Sequence, residues 1–321
     1  MPATFPEYSI TYRRNFVKAR PLSFIRAQID FFVKPLDRGE TKGYNEEKNR
    51  IEDTVMEFFL NEILEDQAVR DLMIADPEGL KEQAKALADQ FAQTGDCEVP
   101  EGGMLPLFVY AYALNNALAL HEKRGIPHEI SVAIFKDVNL WIGNHIVQFG
   151  TPGIKVFSWL KFHLRGELYR LGRLQFRPVK TNRAPEGEWV FETHVPQGEP
   201  LDEQACLDSF ARAKPFFAQY FPEVDAKYFD CNSWLLNPNH AYVMGENSNV
   251  VKFMRLWELR SINCKGKSSG TITRVFGFGA TREDLPNLPE KTTMQRKVKA
   301  FLLAGGDLSD TYGVRRVDES L

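Results

Sequence analysis

Two observations predict an α/β protein, with a helical N-terminal domain over residues 1–165 and a mixed β-sheet domain flanked by helices over 166–321. From about residue 45 to 165, apolar side chains recur at three- and four-residue spacing, whereas beyond residue 168 they alternate. In the second half the strand and helix patterns also interleave, as they do when helices cover a sheet. A chain of 321 residues is long for one core and comfortable for two domains.

In "NEEKNRIEDTVMEFFLNEILED", Ile51, Val55, Phe58, Phe59 and Ile63 mark one face of a helix. "DPEGLKEQAKALADQFAQTG" starts at Asp-Pro and stops at Gly95. The run 104–124 ends at Gly125, and Pro127 restarts a helix that reaches about Gln148. A last helix carries "KVFSWLKFHLRGEL". In "YRLGRLQFRPV", Leu174 and Phe176 alternate with Arg173, Gln175 and Arg177. In "EWVFETHV", Trp189, Phe191, Thr193 and Val195 alternate with Val190, Glu192 and His194. "KTNRAPEGE" between them has the composition of a hairpin loop. A helix follows over about 201–221, with a kink expected at Pro215. Then come a strand over 228–236 and a helix opened by Asn247 or Ser248. "GTITRVFGFG" reads as a further strand, and "TTMQRKVKAFLLAGG" as a helix with a Thr cap and a Gly stop.

Composition narrows the function. The net charge of -3, from 40 Lys and Arg against 43 Asp and Glu, argues against nucleic-acid or anionic-membrane partners. Cys97, Cys206, Cys231 and Cys264 form no CxxC pair and have no His at ligand spacing. Neither a zinc site nor a disulfide framework is expected, and a reducing cytoplasm fits. The N-terminus lacks the apolar run of a secretory signal. The most apolar segment, 104–120, is interrupted by Asn115 and Asn116, so it reads as a buried helix rather than a membrane span. His121, His128, His145, His163 and His240 are scattered, which argues against metal catalysis.

The segment "YFDCNSWLL" (228–236) carries a polar quartet, Asp230 to Ser233, inside an otherwise apolar strand. The strand 188–195, the loop "PQGEP", the helix 201–221 and this strand form a unit whose turn faces a ligand at the carboxyl edge of a sheet. If the two strands are neighbours, His194 and Cys231 or Ser233 meet near that edge, the minimal kit of nucleophile and base. The alternative is a small core cysteine, with Ser233 satisfying a local backbone group. Gln197-Gly198 before the helix would let amides approach an anion, but Glu199, Asp202 and Glu203 oppose one. Trp234 can wall a ligand slot or belong to the core.

The runs "LYRLGRLQF", "HVPQGEPLDEQACLDSFARAKPFFAQYFP", "CNSWLLNP", "NSNVVKFMRLWEL" and "TTMQRKVKAFLLAGG" resemble a two-domain bacterial acyltransferase-like family. That family joins a helical N-acyltransferase N-terminal domain to a GNAT-like C-terminal domain. The resemblance spans about residues 105–315. It implies a GNAT-like mixed sheet that admits an acyl-CoA or acetyl-CoA between two parted central strands, here 188–195 and 228–236. The pyrophosphate would lie at the helix start, Gln197 to Leu201. The family's Gln/Arg-x-x-Gly-x-Gly/Ala signature is absent at that turn, where "VPQGEPLDE" has one glycine and three acids.

The function expected is therefore acyl transfer from a CoA or carrier thioester to a small acceptor, perhaps an amine. Glu192 or His194 would be the base, and Cys231 or Ser233 a polar contact or proton donor. Gln197, Gly198, Trp234 and Asn249 would bind the co-substrate. Two other readings are a binding module that has lost its CoA site and a Cys-His acyl-enzyme. The sequence leaves the oligomeric state open.

Overall fold

The computed structural model describes residues 41–181, 189–262 and 267–318. The N-terminal 40 residues, Cys264 and most of the expected hairpin loop lie outside them. From Thr41 to Leu164 every regular element described is helical. Helix α1 (Thr41–Phe58) runs into a π-turn (Phe59–Ile63), and Ile51, Val55, Phe59 and Ile63 line its buried face at four-residue spacing. Helices α2 (Gln67–Ala75) and α3 (Lys81–Thr94) follow.

The apolar run becomes α4 (Leu105–Arg124), with Leu107 to Leu114 buried without a break. A helix apolar all round is one enclosed by its neighbours. Gly125, at φ 71°, supplies the left-handed residue that ends it. Among the described residues no helix is long and apolar enough to cross a membrane. Helices α5 (His128–Phe135), α6 (Asp137–Phe149) and α7 (Phe157–Leu164) complete this half.

Beyond Leu164 a six-stranded sheet forms in the order β1-β2-β3-β4-β6-β5. The "YRLGRLQFRPV" segment is two strands, β1 (Tyr169–Arg170) and β2 (Gln175–Lys180), folded back at Gly172. Strand β3 (Trp189–His194) is antiparallel to β2, and β4 (Tyr228–Ser233) is parallel to β3. The connection between them is α8 (Glu203–Tyr220), as a parallel crossover requires. Pro215 lies inside α8, which continues through it as one helix.

Two expectations are corrected. Strand β4 stops at Ser233, and residues 234–236 turn into a 3-10 helix. "GTITRVFGFG" is not a strand but helix α11 (Ser269–Phe276), after α9 (His240–Met244) and α10 (Asn249–Arg255). Its run of β-branched residues suggested a strand, but Ile272 and Val275 pack, three residues apart, onto a satellite core with Val298 and Leu302 of α12 (Thr293–Leu303). Packing overrides propensity here.

The sequence reading also missed β5 (Glu258–Ile262) and β6 (Thr311–Arg316). Strand β6 fills the gap between β4 and β5 and is antiparallel to both. It carries a glycine and two arginines, so it does not look apolar. Arg315 is nevertheless buried, donating to the Leu256 carbonyl at 3.1 Å with its guanidinium over Phe210. A Cβ at Gly313 would lie 3.0 Å from Trp257 Cβ and 3.1 Å from Leu236 Cδ1, so a side chain there would crowd both neighbours.

The apolar core runs through both halves, from Ile51 to Trp257. Tyr169, for example, packs against His121 of α4 and against Phe216, Phe217 and Phe221 at the end of α8.

Candidate active site

Strand register decides which side chains meet. Strands β3 and β4 pair at Val190 with Tyr228, Phe191 with Phe229 and Glu192 with Asp230, and no pairing follows. Strand β3 stays bonded to β2 as far as His194, and β4 to β6 as far as Ser233. The central strands therefore part beyond Glu192 and Asp230. Their facing edges carry N–H and C=O groups without a ladder partner.

Alternation sorts the residues into two faces. Phe191 and Phe229 face α8, with Phe191 stacked on Phe217 at 4.3 Å between centroids. Thr193, Cys231 and Ser233 share that face. Glu192, His194, Asp230 and Asn232 lie on the other, together with Gln175 and Arg177 of β2, which sit opposite His194 and Glu192.

The expected meeting of His194 with Cys231 or Ser233 is thus overturned, because an odd residue offset across a parallel pair places them on opposite faces. Cys231 is 2 % exposed and packs in the main core. Burial, reinforced by the Asp230, Glu192 and Asp310 charges, pushes its thiol far above the ordinary value, opposite to what a nucleophile needs. Ser233 accepts the Leu235 N–H at 3.2 Å and so starts the 3-10 turn that ends β4.

On the opposite face, His194 Nε2 lies 3.1 Å from Glu192 Oε2. The same oxygen accepts from Arg177 Nε at 3.0 Å and from its terminal nitrogen at 2.8 Å. Burial would raise the Glu192 pKa. The His194 contact and the Arg177 cation outweigh it and hold the carboxyl at about 2. A carboxylate thus faces Nε2, so in the neutral ring Nε2 carries the proton and Nδ1 is the acceptor. Among the described residues Nδ1 has no hydrogen-bond partner.

The helical half covers this face. Trp159 of α7 stands edge-on to His194 at 4.8 Å, and the Arg177 guanidinium lies over Phe162 at 4.0 Å. Asp137, at the start of α6 and 5 % exposed, is the hub of the roof. It accepts from Trp141 Nε1 at 3.0 Å, Trp159 Nε1 at 3.4 Å and Gln175 Nε2 at 3.2 Å. His163 Nε2 lies 3.7 Å away, and burial lowers the His163 pKa. Asp137, Trp159 and Gln175 were missed in the sequence. The i,i+4 pair Asp137 and Trp141 is the one signal it offered.

The rim at the carboxyl end of β3 holds the other expected residues. Gln197 Oε1 accepts from Asn144 of α6 at 3.4 Å. Gly198 adopts φ 106°, with open space where a Cβ would stand. Arg173 donates to the Glu199 carbonyl and to the Pro200 carbonyl, both at 2.8 Å. With its carbonyl drawn inward, the trans Pro200–Leu201 peptide turns its N–H away from Arg173.

The three acids here are engaged by the chain itself. Glu199 pairs with Arg170 at 2.7 Å, and Asp202 caps α8 by accepting from Ala205 N at 3.0 Å. Glu203 lies 3.8 Å from Lys252 of α10. Lys252 thus offsets one of the acids. Arg173 binds carbonyls, and Arg177 is bound elsewhere, to Glu192. Asn249 is exposed in the first turn of α10, one turn before Lys252. Trp234, half-buried just past β4, packs edge-on against His240 at 5.4 Å. Among the described residues no group of three His, Cys, Asp or Glu side chains is placed to hold a metal ion.

Comparison with known proteins agrees with this architecture. Residues 49–166 match the N-acyltransferase N-terminal domain family, and residues 168–315 match the GNAT-like C-terminal domain family. No curated protein matches the chain. Similar solved structures include an acyltransferase in complex with CoA and 10C-teicoplanin, at 22% identity and a TM-score of 0.70, covering 92% of this chain and 99% of that one. An acyltransferase mutant in complex with octanoyl-CoA has 22% identity and a TM-score of 0.69, covering 92% and 98%. An acyltransferase in complex with decanoyl-CoA and teicoplanin has 26% identity and a TM-score of 0.65, covering 92% and 95%.

Proposed function

Because the chain joins an N-acyltransferase N-terminal domain to a GNAT-like C-terminal domain, we propose that it moves an acyl group from a CoA thioester to an amine. The observation that carries this reading is the divergence of β3 and β4 beyond Glu192 and Asp230, beside a histidine with one nitrogen free. A pantetheine arm is a slender amide chain. It can take up the strand-edge groups that the parting leaves without a ladder partner.

His194 is the base in this reading. Its Nε2–H is held by Glu192, and Nδ1 takes the proton as the amine attacks the thioester carbonyl. The carbon–sulfur bond then breaks and CoA leaves as the thiol or thiolate. Glu192 is not the base, because a carboxylate held at about pKa 2 is too weak to accept a proton near neutrality. Its part is to fix the imidazole, with Arg177 fixing Glu192 in turn. Freed strand-edge amides supply donors for the oxyanion. Cys231 needs no role in direct transfer.

The pyrophosphate is assigned to the rim formed by Gly198, the outward amide of Leu201, Asn249 and Lys252. Here the chain's own pairing of Glu199, Asp202 and Glu203 weakens the repulsion their sequence suggests. Those acids are also the observation that favours the second reading, a GNAT-like module without CoA. We further propose the division 1–165 and 166–321, with the helical part as roof and the sheet as floor, and a cytoplasmic location. The test is calorimetric titration with acetyl-CoA and decanoyl-CoA, followed by thiol release with an amine panel. Micromolar binding with amine-dependent release supports the transferase, and no binding at millimolar ligand selects the module.

A further inference from the structure

Helix α11, first read as a strand, brings Arg274 to the same side of the sheet as His194. The guanidinium carbon lies 5.8 Å from the Trp141 ring and 5.4 Å from the Phe278 ring. These two rings are 5.9 Å apart at an angle of 56°. The loop after α11 is tied to α6 by Gln148 Nε2, which donates to the Phe278 carbonyl at 2.9 Å. Trp141 is the residue that donates to Asp137, the hub that also holds Trp159 against His194. Arg274 and the base therefore share one aromatic wall, on the face of the sheet away from α8.

The arginine lacks the partners a structural arginine has. Arg173 binds two carbonyls, Arg282 reaches those of Lys267, Leu302 and Gly306, and Arg315 that of Leu256. Among the described residues, Arg274 donates no hydrogen bond and forms no ion pair, although a guanidinium offers five donors. Asp310 attracts it, but the Asp310 carboxylate accepts the Trp234 N–H at the end of β4. The Arg274 side chain is open to solvent, yet surrounding protein lowers its pKa. Openness together with crowding is expected on a concave wall. A planar fork framed by two rings and free of protein acceptors matches a carboxylate.

We propose that Arg274, framed by Trp141 and Phe278, is a specificity site that binds a carboxylate on the acceptor amine. The assignment to the acceptor rests on the proposed acyl transfer, in which the thioester enters past α8 and the acceptor comes from the His194 side. An anion at Arg274 could also be a phosphate of the acyl donor, so the test must separate the two.

The experiment titrates the full chain calorimetrically with 4-(aminomethyl)benzoate and with its carboxamide, which differ in one charge. The acid should bind at least about tenfold more tightly, as a charge-assisted hydrogen bond would give. Arg274→Met and Arg274→Gln should each remove that difference, and Arg274→Lys should keep part of it. Decanoyl-CoA affinity should stay within about twofold in all three variants, which also shows that they are folded. Equal or undetectable binding of acid and amide by the unaltered chain would overturn the proposal. A parallel loss of decanoyl-CoA affinity would overturn it too, by assigning the cation to the donor's phosphates. Because binding is read without turnover, failure here is distinct from failure of acyl transfer, which appears as absent thiol release.

Discussion

Glu192 and Asp230 are the last residues at which β3 and β4 remain paired, and His194 stands two residues beyond, on the same face as Glu192. One step of strand pairing thus separates a closed sheet from an open slot. His194 stands at the mouth of the slot, anchored to a residue of the last closed pair.

His194→Ala should therefore lower kcat by about 10²–10⁴, the usual worth of a general base, and leave decanoyl-CoA binding nearly unchanged. Glu192→Gln should lower kcat less, because it removes the anchor and keeps the imidazole. Steady-state kinetics beside calorimetry checks both. A His194→Ala enzyme with unaltered kcat would remove the histidine from the mechanism.

Cys231→Ala should preserve acyl transfer and cost about 1 kcal/mol of stability, as loss of a small core side chain does. Thiol release and urea unfolding measure the two effects. Loss of activity in a folded variant would revive an acyl-enzyme.

Stability should fall in acid in two stages. Burial holds His121 and His240 at about pKa 4, below the ordinary imidazole value. Both are neutral in the fold and take up protons on unfolding, so their contribution is complete above about pH 6.5 and declines as pH falls towards 4. Glu192, held at about 2, contributes fully above the ordinary glutamate value and loses that contribution between about pH 4.5 and 2. Urea midpoints from pH 7 to 3 should show the first decline reduced in His240→Gln and the second in Glu192→Gln. A midpoint independent of pH from 6.5 to 4 would contradict the histidine assignment.

Gly198→Glu should abolish CoA binding by adding a fourth acid at the rim and forcing a side chain into a left-handed backbone. Lys252→Ala should weaken it less. Titration with acetyl-CoA distinguishes these outcomes, and an unaffected Gly198→Glu would move the pyrophosphate elsewhere.

Expressed as separate chains, residues 1–165 and 166–321 should copurify. The core is continuous across the division, and Arg124 of α4 reaches Glu223 at 2.6 Å and the Tyr220 carbonyl at 2.6 Å. Size-exclusion chromatography of the co-expressed pieces reads the result. Recovery of the second piece alone as a folded monomer would show that the helical part is dispensable.

Periodicity made helices such as α1 legible, because they bury one face whose spacing is written locally, as with Ile51, Val55, Phe59 and Ile63. The strands on either side of α8 were legible from their alternation, which also placed Glu192 and His194 on one face near the carboxyl edge. Strand β6 was not. Its Gly313, Arg315 and Arg316 become strand residues only because β4 and β5 flank them and Phe210 and Leu256 receive Arg315.

The helical first half, the unit of β3, α8 and β4, and the two-domain resemblance were thus legible in the sequence, since each depends on neighbours along the chain. Which side chains meet was decided by register and by packing between the halves. The odd offset between His194 and Cys231 put them on opposite faces. The pairing of β2 with β3 brought Arg177 to Glu192, and α6 and α7 brought Asp137 and Trp159 over the histidine. Helix α11 placed Arg274 against Trp141, 133 positions away in the chain by the numbering, 274 less 141. Contacts across such separations are set by the whole core, and no local pattern encodes them.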